Sequence, residues 1–270
     1  MKISLRTFLH RILTYPVLSL IMAAYAAAEN KRNVLNIFYI IRGFPHGIMR
    51  CGVRTAFYDG LVITFPYIED PAFDDVWLRQ VYYAYVPQRK DIVIDVGAHM
   101  GFFALKIVRS VKKIVAVEPD PANFRFLEYN VHLNNFDHEI IARNVALGEK
   151  QGTIFLDRSG YGYGRSKPTI RKTEFSSQMQ TLDNIVREEK LEEVNLIKID
   201  TEGFELDVLK GSIRTLERYK PNLIIAAYHF PKESQLISDY LKKHDYSVYS
   251  YSMPLFLSSE REIYLYAKAN

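Results

Sequence analysis

Residues 91–101 read D-I-V-I-D-V-G-A-H-M-G, with F-F-A-L-K-I-V directly behind. An apolar run ends in an acid, Asp95, and two glycines, Gly97 and Gly101, before a helical period sets in. A strand, a glycine turn and a helix carry this pattern where backbone has to come close to a ligand. The spacing Asp95-x-Gly97-x-x-x-Gly101 is not the G-x-G-x-x-G of nicotinamide binders. Asp95 has two readings: a brace for the loop, or an attractor for a ligand's positive amino group.

Toward the C-terminus strand-like and helical patterns alternate, which argues for a parallel α/β sheet. The pattern predicts a first strand over 92–96 and a helix over 101–109. A second strand follows over 114–118, a helix opening at Pro121, a third strand over 138–145 and an added strand over 151–156. Pro121 suits a first helical turn because it lacks a backbone N–H. Glu118 ends the second strand about 20 residues after Gly97, where Rossmann-type folds place the acid that accepts hydrogen bonds from ribose hydroxyls. The plainer reading is an exposed strand-end carboxylate; spacing and position together favour the ribose. Asn144, at the end of the third strand, either meets an adenine edge or caps its own turn.

Residues 157–180, with Tyr161 and Tyr163 among glycines, read as a long polar loop, either a lid or a solvated connection. The run L-I-K-I-D over 196–200 reads as a buried strand, and a helix opens at Thr201-Glu202-Gly203-Phe204-Glu205. Three acids, Asp200, Glu202 and Glu205, thus gather at one strand-to-helix junction. A strand over 222–228 leads to His229, and a helix over 233–243 precedes two last strands over 246–251 and 262–267.

Upstream the character changes. Residues 1–54 hold eight Lys/Arg and one acid, Glu29, leaving 27 basic against 30 acidic residues in the rest. The overall charge of +4 is too modest to imply nucleic-acid binding; the positive charge belongs to the N-terminus. Ile3, Leu5, Phe8, Leu9, Ile12 and Leu13 recur at helical spacing among Lys2, Arg6, His10 and Arg11. An uncharged stretch over 12–28 lies at the short limit for a membrane span, and its basic start also imitates a secretory signal. Two readings follow: a helical cap packed on the domain, or a helix lying on an anionic bilayer. Residues 51–65 read as a hairpin turning at Asp59-Gly60, and 74–85 as a helix stopped by Pro87. The chain therefore divides into an N-terminal helical and hairpin appendage, 1–70, and a domain, 71–270. A single cysteine, Cys51, excludes an internal disulfide and a cysteine-based zinc site.

From about residue 70 to 230 the sequence resembles the FkbM family of methyltransferases. The likeness rests on V-I-D-V-G-A-H-M-G-F-F-A-L, V-A-V-E-P-D-P-A-N-F-R-F-L-E-Y-N-V, N-V-A-L-G and Thr181-Leu-Asp183. Above all it rests on I-K-I-D-T-E-G-F-E-L-D-V-L-K-G over 197–211. The resemblance implies a class I enzyme dependent on S-adenosyl-L-methionine, with a seven-stranded, mostly parallel Rossmann-like sheet and helices on both faces. Members typically methylate hydroxyls of sugars or other hydroxylated metabolites. The cofactor is then expected against Asp95, Gly97, Gly101, Glu118, Asn144 and Asp200, with His99 at its methionine end.

Methyl transfer to a hydroxyl needs in-line approach to about 3 Å and gains from a base. Asp200 is the first candidate; Glu202, Glu205 and His229 come second. A carboxylate there that holds a metal, or one that caps the next helix, are the alternatives, and no metal is assigned. An RNA methyltransferase is the first rival. Against it, the Asp/Asn-Pro-Pro-Tyr/Phe motif of amine methylation is replaced by Asp200-Thr-Glu-Gly, and 91–270 shows no basic-aromatic cluster. A membrane-associated, non-enzymatic binder of the cofactor is the second, and the presence of Gly97, Gly101 and Glu118 speaks against a dead site. The expectation is a cytoplasmic enzyme with a hydroxylated small-molecule or glycan acceptor and no nucleic-acid partner. Residues 1–41 then pack on the domain or touch the inner face of the membrane. The oligomeric state is not read from the sequence.

Overall fold

The computed structural model describes residues 54–66, 71–158, 167–169, 171–254 and 261–270. The expected N-terminal helix, the membrane-contact reading of 1–41, Cys51 and the Tyr161/Tyr163 lid lie outside the described residues. The chain separates into two compact units, Met1–Ile68 and Glu69–Asn270. No helix among the described residues is long and apolar enough to cross a membrane.

The first unit contributes the antiparallel hairpin β1 (Arg54–Tyr58) and β2 (Leu61–Phe65). Asp59 and Gly60 both have positive φ, 49° and 70°. That is the left-handed pair a two-residue hairpin turn requires, and the reason Asp-Gly marks it.

The second unit begins with α1 (Pro71–Asp74), which widens into a π turn (Asp75–Arg79), and then β3 (Ile92–Val96). Next come α2 (Phe102–Ile107), β4 (Lys113–Val117), α3 (Pro121–Leu133) and β5 (Ile140–Arg143). Four short strands follow, β6 (Ala146–Leu147), β7 (Gly152–Asp157), β8 (Lys167–Thr169) and β9 (Phe175–Gln180). After α4 (Leu182–Glu188) the chain runs β10 (Leu196–Ile199), α5 (Glu205–Lys210), α6 (Ile213–Tyr219) and β11 (Asn222–Ala226). It closes with α7 (Glu233–Lys242), β12 (Tyr246–Pro254) and β13 (Arg261–Ala269).

The central sheet has seven strands in the order β12-β13-β11-β10-β3-β4-β5. β13 is antiparallel to both its neighbours, and every other pairing is parallel. Parallel strands covered on both faces become near-continuous apolar runs, and β3, β10 and β11 are buried along nearly their whole length. The chain fills β3, β4 and β5 in one direction and then returns to lay β10 and β11 on the other side of β3. Strand order reverses between β3 and β10, and open α/β sheets bind ligands outside the carboxyl ends at such a point.

Two stretches differ from expectation. Residues 74–85 are not one helix: the π turn ends at Gln80 (φ 52°), where the N–H of Val81 reaches back to the carbonyl of Asp75. The apolar residues that suggested a longer helix, Val76, Trp77 and Val81, are all buried across that break. The expected loop 157–180 instead supplies β8 and β9, which with β6 and β7 form a second sheet in the order β6-β9-β7-β8. The strand F-S-S-Q-M-Q has one fully buried side chain, Ser177, so no apolar alternation announces it.

Candidate active site

A cleft of roughly 1030 Å³, counting its open mouth, lies at the carboxyl edge of β3, β4 and β10. Its wall includes Gly97 and His99 from the β3–α2 loop, Glu118 from the end of β4, and Asp200 and Glu202 from the end of β10.

The loop is shaped by what presses on it. Gly97 has φ +75°, and a Cβ there would lie 1.8 Å from the carbonyl oxygen of Asp200. The N–H groups of Gly97 and Ala98 both donate to the carbonyl of Val117 at 3.0 Å, tying the loop to β4. From the other side Lys198 sends its Nζ to the carbonyl of Gly97 at 2.8 Å and to Asp95 Oδ1 at 3.1 Å. Asp95 and Lys198 are register partners on β3 and β10, almost wholly buried. Burial pushes the Asp95 carboxyl up and Lys198 opposes it.

Three expected cofactor residues stand behind the wall of the cleft rather than in it. Asp95 braces the loop through Lys198, the first of its two readings. Gly101 makes room for a neighbour: its Cβ would meet Leu127 Cδ1 of α3 at 2.7 Å. Asn144 donates from Nδ2 to the carbonyls of Glu118 and Pro119, at 2.8 and 3.2 Å, and so fixes the strand end that carries Glu118. Lys198, Leu127 and the β4 strand end are what these three residues meet in the protein.

Glu118 is anchored by neighbouring donors at the end of β4. Its Oε2 accepts the N–H of His99 at 2.8 Å and its Oε1 the N–H of Asp120 at 2.9 Å. Oε1 also accepts from Nδ2 of Asn123 at 3.5 Å, so with about two acceptor sites per oxygen it is Oε2 that keeps capacity. Burial pushes the pKa of Glu118 up, with nearby His99 and the two N–H groups opposing. His99 sits at φ 54° with its ring edge-on to Phe102.

Asp200 is held from several directions. Tyr82 donates its hydroxyl to Oδ2 at 2.5 Å, and His229 Nε2 lies 3.4 Å from Oδ1. Burial works against the charge, yet His229 and Lys198 keep the Asp200 carboxyl below the usual range. Tyr82 was not foreseen, since its stretch reads as helix and nothing sets it apart from Tyr83 and Tyr85 beside it.

His229, at the end of β11, stacks on Tyr228 with ring centroids 4.5 Å apart. Four carboxylates surround it. Asp200 and Glu202 lie 3.4 and 3.8 Å from Nε2, and Glu205 and Glu233 lie 3.3 and 3.4 Å from Nδ1. Burial opposes the charge, but Asp200, Glu233 and Glu205 outweigh it and push the ring up to about 11. The surrounding carboxylates thus favour the charged ring over the neutral one. Burial pushes Glu205 up to about 8, with His229 opposing and Glu233 adding to the rise. Glu205 Oε1 also caps the turn, accepting from the N–H of Thr201 at 2.7 Å and of Gly203 at 3.3 Å. Glu202 occupies the left-handed region in that turn (φ 58°), which sets its side chain at the cleft.

The model of the methyltransferase FkbM domain matches residues 95–248, more than half of the chain. The chain belongs to the FkbM methyltransferase family. Relatives include the hexuronic acid methyltransferase AglP of Haloferax volcanii, 28% identical over 144 residues, covering 53% of this chain and 57% of that protein. Another is the tRNA(Phe) (4-demethylwyosine(37)-C(7)) aminocarboxypropyltransferase of Pyrococcus horikoshii, 28% identical over 157 residues, covering 54% of this chain and 55% of that one. The chain thus spans little more than half the length of these curated relatives. Among solved structures, the FkbM methyltransferase of Methylobacillus flagellatus KT superposes with a TM-score of 0.53 at 19% identity, over 72% of this chain and 47% of that one. The FkbM family uses S-adenosylmethionine.

Proposed function

We propose that this chain is an S-adenosylmethionine-dependent O-methyltransferase acting on a hydroxyl of a sugar, a glycan or another hydroxylated metabolite. The observation that carries the proposal is that Glu118 and Asp200 border one cleft, with Gly97 between them. With ribose hydroxyls on Glu118, the methyl group points toward the end of β10. The acceptor oxygen attacks the methyl carbon, an O–C bond forms as the S–C bond breaks, and the sulfonium leaves as a thioether. The hydroxyl proton goes to Asp200, which is ionised and faces the cleft, as a base must be. Tyr82 and His229 hold that carboxylate in place. The methyltransferase AglP, named for a hexuronic acid, supports a sugar acceptor. Cytoplasmic placement, with the basic N-terminus against the domain or a membrane, belongs to the same proposal and rests on sequence alone.

Incubating the chain with methyl-labelled cofactor and separated glycan, small-metabolite and RNA fractions tests the acceptor. Label in a hydroxylated glycan or metabolite is the expected result. Label confined to RNA would replace this reading with the one favoured by the tRNA-modifying relative.

A further inference from the structure

Beneath Asp200 lies a cluster that the transfer of a methyl group does not by itself require. One oxygen each of Asp200 and Glu205 and one ring nitrogen of His229 lie within 4.8 Å of one another. The side chains of His229, Glu205 and Glu233 are 6%, 0% and 1% exposed. Yet both ring nitrogens of His229, Oε2 of Glu205 and Oε1 of Glu233 lack a hydrogen-bond partner. The ring is near four carboxylates, but none of the contacts, at 3.3–3.8 Å, is aligned as a hydrogen bond. Buried polar atoms without partners are costly and call for an occupant.

We propose that Asp200, Glu205 and His229 bind a divalent first-row cation of the Mn²⁺ kind at the floor of the cleft. Donors about 2.1 Å from a shared ion stand roughly 3.0–3.4 Å apart, as Nε2 of His229 and Oδ1 of Asp200 do at 3.4 Å; the 3.3 Å approach of Glu205 is to Nδ1, and Glu205 joins the set through the 4.8 Å grouping of the three residues. Carboxylate oxygen with one imidazole nitrogen is a donor set for Mn²⁺, Fe²⁺ or Zn²⁺ rather than for Ca²⁺, which takes oxygen alone. Nε2 is on the Asp200 side, so an ion bound there leaves the Nδ1 proton to Glu233, whose Oε2 also accepts the backbone N–H of His229 at 2.7 Å. A metal-binding histidine is commonly oriented by a carboxylate behind it in this way. In the metal-free chain the proton on His229 stands between the same carboxylates. Asp200 and Glu202 line the cleft while Glu205 and His229 do not, so Asp200 is the ligand through which the ion would reach the cleft. There it would hold the acceptor oxygen and lower the pKa of its hydroxyl, the proton leaving to the second oxygen of Asp200. That role rests on the methyl-transfer reading; the binding of the ion does not.

The test is titration of Mn²⁺ into the metal-free full chain, followed by electron paramagnetic resonance, with no acceptor present. One tightly bound Mn²⁺ per chain is expected, with magnetic coupling to an imidazole nitrogen. His229→Gln should abolish the coupling, and Glu233→Gln should weaken binding roughly 10–100-fold, the usual effect of losing a partner behind a ligand. Absence of a bound ion in the unaltered chain overturns the proposal, and that result does not depend on whether a variant folds. So does a bound ion whose spectrum and affinity are the same in His229→Gln. A chain that binds Mn²⁺ but not S-adenosylmethionine would retain the metal site and lose the methyl-transfer reading instead.

Discussion

Gly97→Ala should leave the chain unable to bind S-adenosylmethionine and much less stable. Alanine at φ +75° incurs the left-handed penalty of about 1–2 kcal/mol. Its Cβ would also lie 1.8 Å from the Asp200 carbonyl oxygen and 2.8 Å from the carbonyl carbon. Neither atom is the end of a flexible side chain, so β10 or the loop has to move, an overpacking cost of roughly 1–3 kcal/mol. The same shift pulls the loop from the carbonyl of Val117 and from Lys198, and with it the N–H of His99 from Glu118. Together these costs are a large share of a typical stability of about 5–15 kcal/mol. Thermal melting and cofactor titration check both parts. Gly152→Ala, whose Cβ would meet nothing nearer than 3.9 Å, is the control and should change neither.

Asp200→Asn should lower turnover by roughly 10²–10⁴, the usual share of a positioned base, while cofactor affinity changes by no more than a few-fold. Asparagine keeps the size and can still accept the hydroxyl of Tyr82, while it removes the proton acceptor and the negative charge beside His229. Single-turnover rates with the acceptor found by label transfer would separate the two effects. Undiminished turnover with intact cofactor binding would remove Asp200 from the chemistry.

Much of the sheet is legible in the sequence because parallel strands buried on both faces are written as short apolar runs. Ile92–Val96, Leu196–Ile199 and Asn222–Ala226 are found this way, and Glu118 by its distance from the glycines. Position along the chain says less about which way a polar atom is used. Asp95 and Asn144 each had a ligand and a structural reading, and only the structure shows Lys198 beside the one and the carbonyl of Glu118 beside the other. Gly101 reads as part of a turn that approaches a ligand, and the structure adds that Leu127 fills the space beside it. Tyr82 and Glu233 were missed because their meaning comes from partners far along the chain, Asp200 for one and His229 for the other. His229 itself is visible as a strand-end histidine. Its charge is not, because that depends on four carboxylates brought in from β10, the turn after it, α5 and α7.

The most direct test is a calorimetric titration of S-adenosylmethionine into the unaltered chain and into Glu118→Ala, each shown to be folded by circular dichroism. The unaltered chain should bind one equivalent. Loss of hydrogen bonds to a charged group, about 1.5–3 kcal/mol, should weaken Glu118→Ala by roughly 10–150-fold. No binding by the unaltered chain, or equal affinity in the two proteins, would contradict the placement of the cofactor's ribose on Glu118 at the end of β4.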